Sequence, residues 1–565
     1  MVESGQALGD ERRWSWLAWV SAGVCVLVRL PFVSHRLWDH DSVQFALGVE
    51  HYDLAAHHPH PPGYPLYIAL LKVLAACGLE PVAAMVLVTL VASGLGAACM
   101  PLLVRALLAP HGANPADQVP GECSFGTALF AAALFVFNPL LWFYGELPLL
   151  YGVEGGLTVV LAWAAARMVD GRWALVRAAL LLAIAGGLRP SSLVLLAPLV
   201  AFGLWRAWRR GAARGGWPWL AVALGGLAVL AWALPLFHFA GGYRAWKAIN
   251  DEHFRTLLPA TSVLYGAGLG ALRHNLLLLS KWAAQGLFPA ALTLLALLLV
   301  QVPGTWRPSK PQSRGFRQVP GTCRSLTRPF EDRLGFLLAW ALPAIAFFAL
   351  FHITKAGYTL VHLPALLVGC AFAAHPWLST GRRGALAAAA VAVLGGGIYL
   401  LAPDRVPGEP AWQVPWRHEF HGLAVHAFDA ELDSLRSVLS RENPTTSALV
   451  TVELEGGGGG GAVGFLYSWH RHLQWYSPEL TVIALVPEER FALITRGHAP
   501  FQRVGGDVPL SPDVERLVFV LAAEPDARFP MPAGEDLFAG PHFRVRAVAL
   551  PADRLLGPFR FVSDR

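Results

Sequence analysis

Long apolar runs recur through the first 402 residues of this 565-residue chain and restrict what it can fold into. A helix needs about 20 apolar residues to cross the roughly 30 Å hydrocarbon core of a bilayer. Runs of this kind occupy 14–34, 82–104, 125–143, 154–169, 174–188, 190–205, 217–239, 276–300, 334–352, 358–375 and 384–402. Only Arg189 and Pro190 separate the fifth run from the sixth, which predicts either a tight hairpin or one broken helix. The pattern indicates a polytopic α-helical membrane protein with about eleven transmembrane helices.

Composition supports this fold class and excludes others. Only 15% of the residues are charged, against about 25% in soluble domains, and 55% are hydrophobic. The net charge of +6 comes from basic residues in short loops, and no zinc-finger, helix-turn-helix or RNA-binding signature accompanies them. Nucleic-acid binding is therefore excluded. The first run lacks a small-residue cleavage site and is interpreted as a membrane helix, not a signal peptide.

Charge also predicts orientation. The segment 60–79 is short for a span and contains Lys72. If this segment is interfacial or re-entrant, the basic loops at 206–214, 307–328 and 382–383 all lie inside, as the positive-inside rule requires. We therefore expect a bacterial inner (plasma) membrane protein with a cytoplasmic N-terminus and a periplasmic C-terminus.

The chain changes character after residue 402. Short β-branched segments at 447–455, 479–486, 515–524 and 542–551, with a helical stretch at 428–442, predict a small α/β or α+β extracytoplasmic domain over 403–565. Residues 1–402 would form the membrane domain. The glycine run 456–461 and the QVPG repeats at 118, 301 and 318 are typical of flexible loops.

The first loop carries an unusual density of acids, histidines and prolines. Asp39 and Asp41 follow the first helix. His57 and His58 come later in the same loop and directly precede the segment PHPPGYP, which contains His60. Because proline restricts the backbone, that segment should be stiff and should place its neighbours. The side chains predicted to bind substrate here are His57, His58, His60 and Tyr64.

The strings DSVQFALGVEHYDL and PHPPGYPLYIAL resemble the GT-C superfamily of membrane glycosyltransferases, which includes protein O-mannosyltransferases and lipid A aminoarabinose transferases. The resemblance spans about residues 14–400 and implies sugar transfer from a polyprenyl-phosphate donor outside the cytoplasm. The family's Asp-Glu pair is replaced by Asp41-Ser42, with Asp39 two residues earlier. Asp41 best fits the family spacing as catalytic base, Asp39 is the alternative, and both would be ordinary helix-capping acids if the loop were not a site.

Transfer with inversion needs a carboxylate to take the acceptor proton and positive charge beside the leaving phosphate. Arg189 interrupts apolar sequence, which is costly without a partner, and Lys355 ends another run. Both resemble donor-phosphate ligands of the family. Further substrate-binding candidates are Glu146, Tyr151, Glu154, Tyr358 and His362. For a histidine such as His362, a packing role on a helix face is the alternative.

Several alternatives stay open at this point. A secondary transporter or flippase of a lipid-linked or small anionic substrate would also place polar groups on broken helices. A non-catalytic scaffold would leave the first loop without a purpose. No cofactor is expected, although Asp39, Asp41 and the three histidines are residue types that hold divalent ions. The acceptor would be a protein, lipid or glycan hydroxyl.

Overall fold

A computed structural model describes residues 2–109, 121–300, 323–378, 381–401, 421–453, 469–523, 529, 532–541 and 543–563. Its helices are α1 (Val2–Arg29), α2 (His40–Glu50), α3 (Pro65–Ala76), α4 (Pro81–Leu108), α5 (Gly121–Val136), α6 (Pro139–Tyr144), α7 (Leu150–Ala166), α8 (Arg172–Leu188), α9 (Pro190–Arg209), α10 (Trp217–Phe239), α11 (Tyr243–Thr261), α12 (Gly268–Val300), α13 (Cys323–Leu350), α14 (Leu363–Leu378), α15 (Gly381–Leu401), α16 (Gly422–Leu439) and α17 (Trp469–Tyr476). The predicted helical membrane fold is confirmed.

The described residues contain fewer full-length spans than the sequence predicts. Within the described residues, eight helices are long and apolar enough to cross a membrane. The predicted spans 125–143, 174–188 and 358–375 correspond to the shorter helices α5, α8 and α14. Eleven crossings therefore stay a prediction. The helix α3 has 12 residues, fewer than a crossing needs.

The break at Arg189 is a hairpin. The helix α8 ends at Leu188 and α9 begins at Pro190, with Arg189 in extended conformation between them. A Cβ added at Gly186 would lie 2.9 Å from the Cβ of Leu193, so the two helices fold back on each other. Proline suits the first position of a helix because the amide there has no intrahelical acceptor.

Small residues let the central helices pack closely. A Cβ added at Gly96 of α4 would lie 2.7 Å from Gly156 Cα of α7. Such close approach increases van der Waals contact between helices, a main source of helix association in lipid. Because α7 packs against α4 in this way, the start of α7 lies beside the first loop.

Side-chain contacts define two ends of the helical bundle. At one end, Arg105 of α4 pairs with Glu11 of α1 at 2.9 Å, and Arg333 of α13 donates to the Leu107 carbonyl at 3.0 Å. At the opposite end, Lys355 contacts the first loop and Tyr399 of α15 contacts the segment before α7. The polar constellation described below lies at this second end.

The C-terminal part contains a mixed sheet. Its strands are β1 (Ser447–Val452), β2 (Thr481–Val486), β3 (Phe491–Arg496), β4 (Gln502–Val504), β5 (Asp507–Leu510), β6 (Arg516–Ala522), β7 (Glu535–Ala539), β8 (Phe543–Ala549), β9 (Leu555–Leu556) and β10 (Phe559–Ser563). Seven of them form a sheet in the order β4-β3-β2-β1-β6-β8-β7, and a smaller sheet has the order β5-β10-β9. The four predicted strands and the predicted helix, here α16, are confirmed.

The central strand explains how this domain is layered. Parallel partners flank β1 on both sides, and all its residues are buried. Val450 faces a cluster completed by β5 and β10, whereas Leu449 faces a cluster completed by Leu432 of α16 and Leu473 of α17. A strand covered on both faces is mostly apolar, as the sequence SALVTV is with four of its six residues.

Some predictions lie outside the described residues. They are the domain boundary at 402–403, the glycine run 456–461, the QVPG repeats and most of the basic loop 307–328. The division into two domains stays a prediction. The aromatic residues Trp142, Phe143 and Tyr144 of α6 are all buried.

Candidate active site

The two aspartates of the first loop lie at the start of α2. Asp39 is the N-cap: its Oδ1 accepts the Ser42 amide at 3.0 Å, and the Ser42 hydroxyl accepts the Asp39 amide at 3.0 Å. This reciprocal capping box ends the loop and starts the helix. Asp41 follows in the first turn, where the helix dipole favours negative charge.

One ammonium joins both aspartates. Lys355 Nζ lies 2.7 Å from Asp39 Oδ2 and 2.5 Å from Asp41 Oδ2. The side chain of Asp39 is 3% exposed and that of Asp41 is 20% exposed. The structure thus brings together the predicted base, its alternative and one predicted phosphate ligand.

Arg189, the other residue predicted to bind the donor phosphate, lies close to this group of charged side chains. Arg189 pairs with Glu154 of α7, whose Oε1 also accepts the Ser192 hydroxyl at 2.6 Å. The Arg189 guanidinium lies 5.3 Å from the Tyr151 ring centroid and 5.0 Å from that of Tyr358. Such contacts contribute about 0.5–2 kcal/mol each.

Tyr151 connects the two ion pairs. Its hydroxyl donates to Asp41 Oδ2 at 3.4 Å, and Lys355 Nζ lies 5.9 Å from its ring centroid. Its ring packs edge-on against Tyr358 at 5.4 Å. The first loop, the start of α7, the α8–α9 hairpin and the segment before α14 therefore converge on one buried polar cluster.

Burial and charge oppose each other at the aspartates. Burial favours a neutral Asp41, but the Lys355 ammonium outweighs burial and holds the pKa of Asp41 well below its usual range. At Asp39 burial is the stronger influence and raises the pKa, while Lys355 opposes the rise and Asp41 adds to it. Although burial disfavours the Lys355 ammonium, Asp39 and Asp41 raise the pKa of Lys355. Lys355 and Asp41 are thus an ion pair at neutral pH.

Two residues of the proline-rich segment flank this cluster. His60 Nε2 and the Tyr64 hydroxyl are hydrogen-bonded at 2.7 Å, and Phe45 of α2 packs against both rings. Burial lowers the pKa of His60 to about 3, so it is neutral. Tyr64 lies within electrostatic range of Arg189 and Asp41.

The remaining candidates have other contacts. The His57 ring faces His253 of α11 at 5.4 Å, and His58 Nε2 accepts from Arg471 of α17 at 3.1 Å. Glu146 is fully buried and accepts the hydroxyl of Tyr399. Their substrate-binding roles stay predictions.

His362, the last candidate, is buried at the end of a short 3-10 turn, 2% exposed. It begins the helix α14, whose Ala365 amide donates to the His362 carbonyl at 3.1 Å. Its substrate-binding role is likewise a prediction that these contacts do not test.

The sequence did not single out three residues that the structure brings to this region. Ser192 carries no signal beyond its place in the first turn of α9, three positions after Arg189, the N-cap residue of that helix. His253 lies on α11, a polar amphipathic helix that was not among the apolar runs. Arg471 lies in the distant segment WHRHLQWY, whose aromatic and basic residues were the one available sign.

A metal site is not formed by the side chains in the described ranges. No group of three or more histidine, cysteine, aspartate or glutamate side chains is arranged to hold an ion among the described residues.

Comparison with known proteins adds a family and two structures. Residues 52–211 match the family described as Protein O-mannosyl-transferase TMEM260 N-terminal domain. No curated protein matches the chain. The crystal structure of ArnT from Cupriavidus metallidurans in the apo state is 13% identical, with a TM-score of 0.45 over 97% of this chain and 98% of that chain. The crystal structure of the same protein bound to undecaprenyl phosphate is also 13% identical, with a TM-score of 0.44 over 96% of this chain and 98% of that chain.

The family match covers the proline-rich segment, Glu154 and Arg189, but ends before Lys355 and begins after the two aspartates. The structural likeness is too weak to argue function from. Over residues 52–211 the sequence is similar to the family described as Protein O-mannosyl-transferase TMEM260 N-terminal domain, and this similarity confirms, within that range, the predicted resemblance to a family of membrane glycosyltransferases.

Proposed function

We propose that this protein is a glycosyltransferase that moves a sugar from a polyprenyl-phosphate donor to an acceptor hydroxyl, with inversion, on the extracytoplasmic face of the membrane. The family match over residues 52–211 supports the transferase class. The observation that carries the proposal is the Lys355 ammonium shared by Asp39 and Asp41, 2.7 and 2.5 Å away, beside Arg189 at one end of the bundle.

Exposure distinguishes the two aspartates. Asp39 Oδ1 accepts the hydrogen bond of the Ser42 amide, and the side chain of Asp39 is almost completely buried. Asp39 therefore serves as a helix cap and a partner of Lys355. Asp41 is more exposed and lies in the first turn of α2, where an acceptor hydroxyl can reach it. A general base must come within about 2.6–3.2 Å of the proton it removes. We therefore assign the base to Asp41.

Both cations already have carboxylate partners, and this has a mechanistic consequence. A donor phosphate must compete with Asp39 and Asp41 for Lys355, and with Glu154 for Arg189. As Lys355 turns toward the phosphate, Asp41 loses the charge that depresses its pKa. Asp41 thereby becomes a stronger base when the donor is bound, while the two cations stabilise the negative charge that develops on the leaving phosphate.

The extracytoplasmic orientation rests on charge. The end of the bundle opposite the site carries the basic residues Arg12, Arg13, Arg206, Arg209, Arg210, Arg382 and Arg383. The positive-inside rule assigns such an end to the cytoplasm. The site and the C-terminal domain would then face the periplasm of a bacterial inner membrane.

A lipid-linked or anion transporter is the second candidate function. The hairpin interrupted at Arg189 is the observation that favours it, because broken helices often line transport sites. The location of the cluster at one end of the bundle favours the transferase.

The test is transfer of radiolabelled sugar from a panel of polyprenyl-phosphate donors by membranes containing the full chain. Wild type is compared with Asp41→Asn, with Asp39→Asn and with Asp513→Asn, an exposed acid of the C-terminal domain. We expect Asp41→Asn to lose at least about 100-fold in rate, the range of general base catalysis, with Asp513→Asn unchanged. Wild-type chain that is inserted but transfers no sugar from any donor contradicts the proposal, and equal rates for Asp41→Asn and wild type remove Asp41 as base.

A further inference from the structure

The helix α17 belongs to the C-terminal domain but packs on the first loop of the membrane domain. Trp475 and Tyr476 contact the cluster formed by α2 and α3, and the Leu37 amide donates to the Tyr476 hydroxyl at 2.8 Å. The His470 ring lies 5.4 Å from the ring of His40, the neighbour of both aspartates. The helix is therefore part of the wall around the site.

Arg471 makes the most specific of these contacts. It is 6% exposed, and its guanidinium donates to three acceptors: His58 Nε2 at 3.1 Å, the Ala56 carbonyl at 3.0 Å and Gln474 Oε1 at 2.9 Å. Phe501 covers it at 4.8 Å from the ring centroid. A planar fork of donors fits several fixed acceptors at once, which a lysine ammonium does not.

The protonation states of this contact agree with its geometry. Burial lowers the pKa of Arg471 to about 10, so the guanidinium stays charged at neutral pH. Burial, with Arg471 next, lowers the pKa of His58 to about 3, so its ring is neutral and Nε2 can accept. The contact is charge-assisted and buried, which makes it strong and costly to leave unpaired.

The loop transmits this contact to the site. Asp53 and His58 form an antiparallel bridge through amide–carbonyl bonds of 2.7 and 2.8 Å. Pro59 then approaches α2 so closely that a Cβ at Gly48 would lie 2.9 Å from it. The next residue but one after His58 is His60, which lies within electrostatic range of Asp41. Displacing His58 therefore displaces a neighbour of the proposed base.

The same domain also holds the loop on the other side of the aspartates. Asp429 of α16 accepts the His35 amide at 2.6 Å and the Ser34 hydroxyl at 2.9 Å, and Asp433 pairs with Arg36 at 2.6 Å. The C-terminal domain thus grips residues 34–36 before the aspartates and residues 56–58 after them. Contacts with both flanks of one loop indicate that the C-terminal domain helps to fix the conformation of that loop.

We infer that Arg471 is a positioning residue of the transfer site, through which the C-terminal domain holds the 56–60 segment against Asp41. The inference rests on the proposed function for its catalytic consequence, but its structural half can be measured without turnover. Misplacement of reacting groups by about 1 Å costs on the order of 100-fold in rate. The donor-phosphate cations Lys355 and Arg189 come from other elements, so donor binding should be nearly unaffected.

The experiment combines amide hydrogen exchange with steady-state transfer on the purified full chain. The variants are Arg471→Ala, Arg471→Lys and His58→Ala, with Arg503→Ala as the matched control. Arg503 is an exposed arginine of the same domain, paired with Glu489 at 3.2 Å. In Arg471→Ala we expect faster exchange in peptides covering 52–58, a kcat lowered about 100-fold and a donor KM changed less than about 3-fold.

The other variants sharpen the reading. Arg471→Lys should recover only part of kcat because one ammonium cannot replace the fork. Arg471→Ala combined with His58→Ala should be no slower than Arg471→Ala alone, since the two side chains act as one unit. If Arg471→Ala does not fold, His58→Ala alone tests the same contact with the same two readouts.

The outcomes separate this inference from the proposed function. Unchanged exchange at 52–58 in Arg471→Ala overturns the inference, as does faster exchange with normal kcat. A donor KM that rises in step with the fall in kcat also overturns it, because the residue would then act on donor binding. If wild type transfers no sugar from any donor, the proposed function fails, while the exchange data still decide whether Arg471 holds the loop.

Discussion

The Lys355 ammonium, which contacts both Asp39 and Asp41, should contribute measurably to the stability of the folded protein. Replacing Lys355 by methionine keeps the length and apolar stem of the side chain but removes the only charge that bridges Asp39 Oδ2 and Asp41 Oδ2 among the described contacts. Removing one partner of a buried ion pair costs about 3–5 kcal/mol, because the other charge is left uncompensated. Two carboxylates lose their partner here, so we expect the upper part of that range.

The pH dependence of this loss has a definite sign. Without Lys355, Asp39 and Asp41 repel each other in a buried site, and the pKa of at least one rises above its unfolded value of about 4. The folded state then binds more protons than the unfolded state as pH falls. The Lys355→Met variant should regain up to about 1.4 kcal/mol per pH unit below that raised pKa, so its deficit is larger at pH 8 than at pH 5.

The assay is thermal unfolding of the detergent-purified full chain between pH 5 and pH 8, followed by tryptophan fluorescence. Asp39→Asn added to Lys355→Met removes one of the two unpaired charges and should recover part of the midpoint at pH 8. It should not recover sugar transfer, because the phosphate ligand is still missing. A Lys355→Met protein with the wild-type midpoint at pH 8, or one that Asp39→Asn destabilises further, would refute the ion-pair reasoning.

Three further predictions concern the site. Arg189→Met should raise the donor KM about 10-fold or more, and Arg189→Lys should be intermediate. A donor KM and a kcat that both match wild type would exclude a phosphate role, since loss of uniform binding appears in KM and loss of transition-state stabilisation appears in kcat. Glu146→Gln should leave kcat within about 2-fold of wild type, because burial raises the pKa of Glu146 and its partner is Tyr399, not the ion-pair cluster; a large loss of kcat would restore its predicted substrate role. The kcat/KM profile should show no titration by Asp41 or Lys355 between about pH 5 and pH 9, since the pKa of the first is lowered and that of the second is raised; an acidic limb near pH 6 that persists in Asp39→Asn would contradict the paired state.

The fold class and many of its helices and strands could be predicted from local sequence. Lengths of apolar runs are local properties, so the long helices of the membrane part were predictable. The break at Arg189 was visible because a charge and a proline interrupt apolar sequence, and the alternating β-branched segments predicted the strands at 447–455 and 542–551. Length alone could not decide the number of crossings, because α5, α8 and α14 are shorter than a full span.

The pairing of distant charges, in contrast, depends on how the helices and the C-terminal domain pack. Lys355 binds Asp39 across 316 positions of sequence, and Arg471 binds His58 across 413. Nothing local in either segment specifies the partner, because such pairs form only when separate helices and a separate domain pack together. The same packing gives Asp39 and Asp41 different environments, although both follow the first helix in sequence. Asp39 makes the capping bond to Ser42 and is buried more deeply than Asp41, while both contact Lys355. Residue types and local periodicity depend on sequence neighbours, whereas burial and pairing depend on neighbours in space.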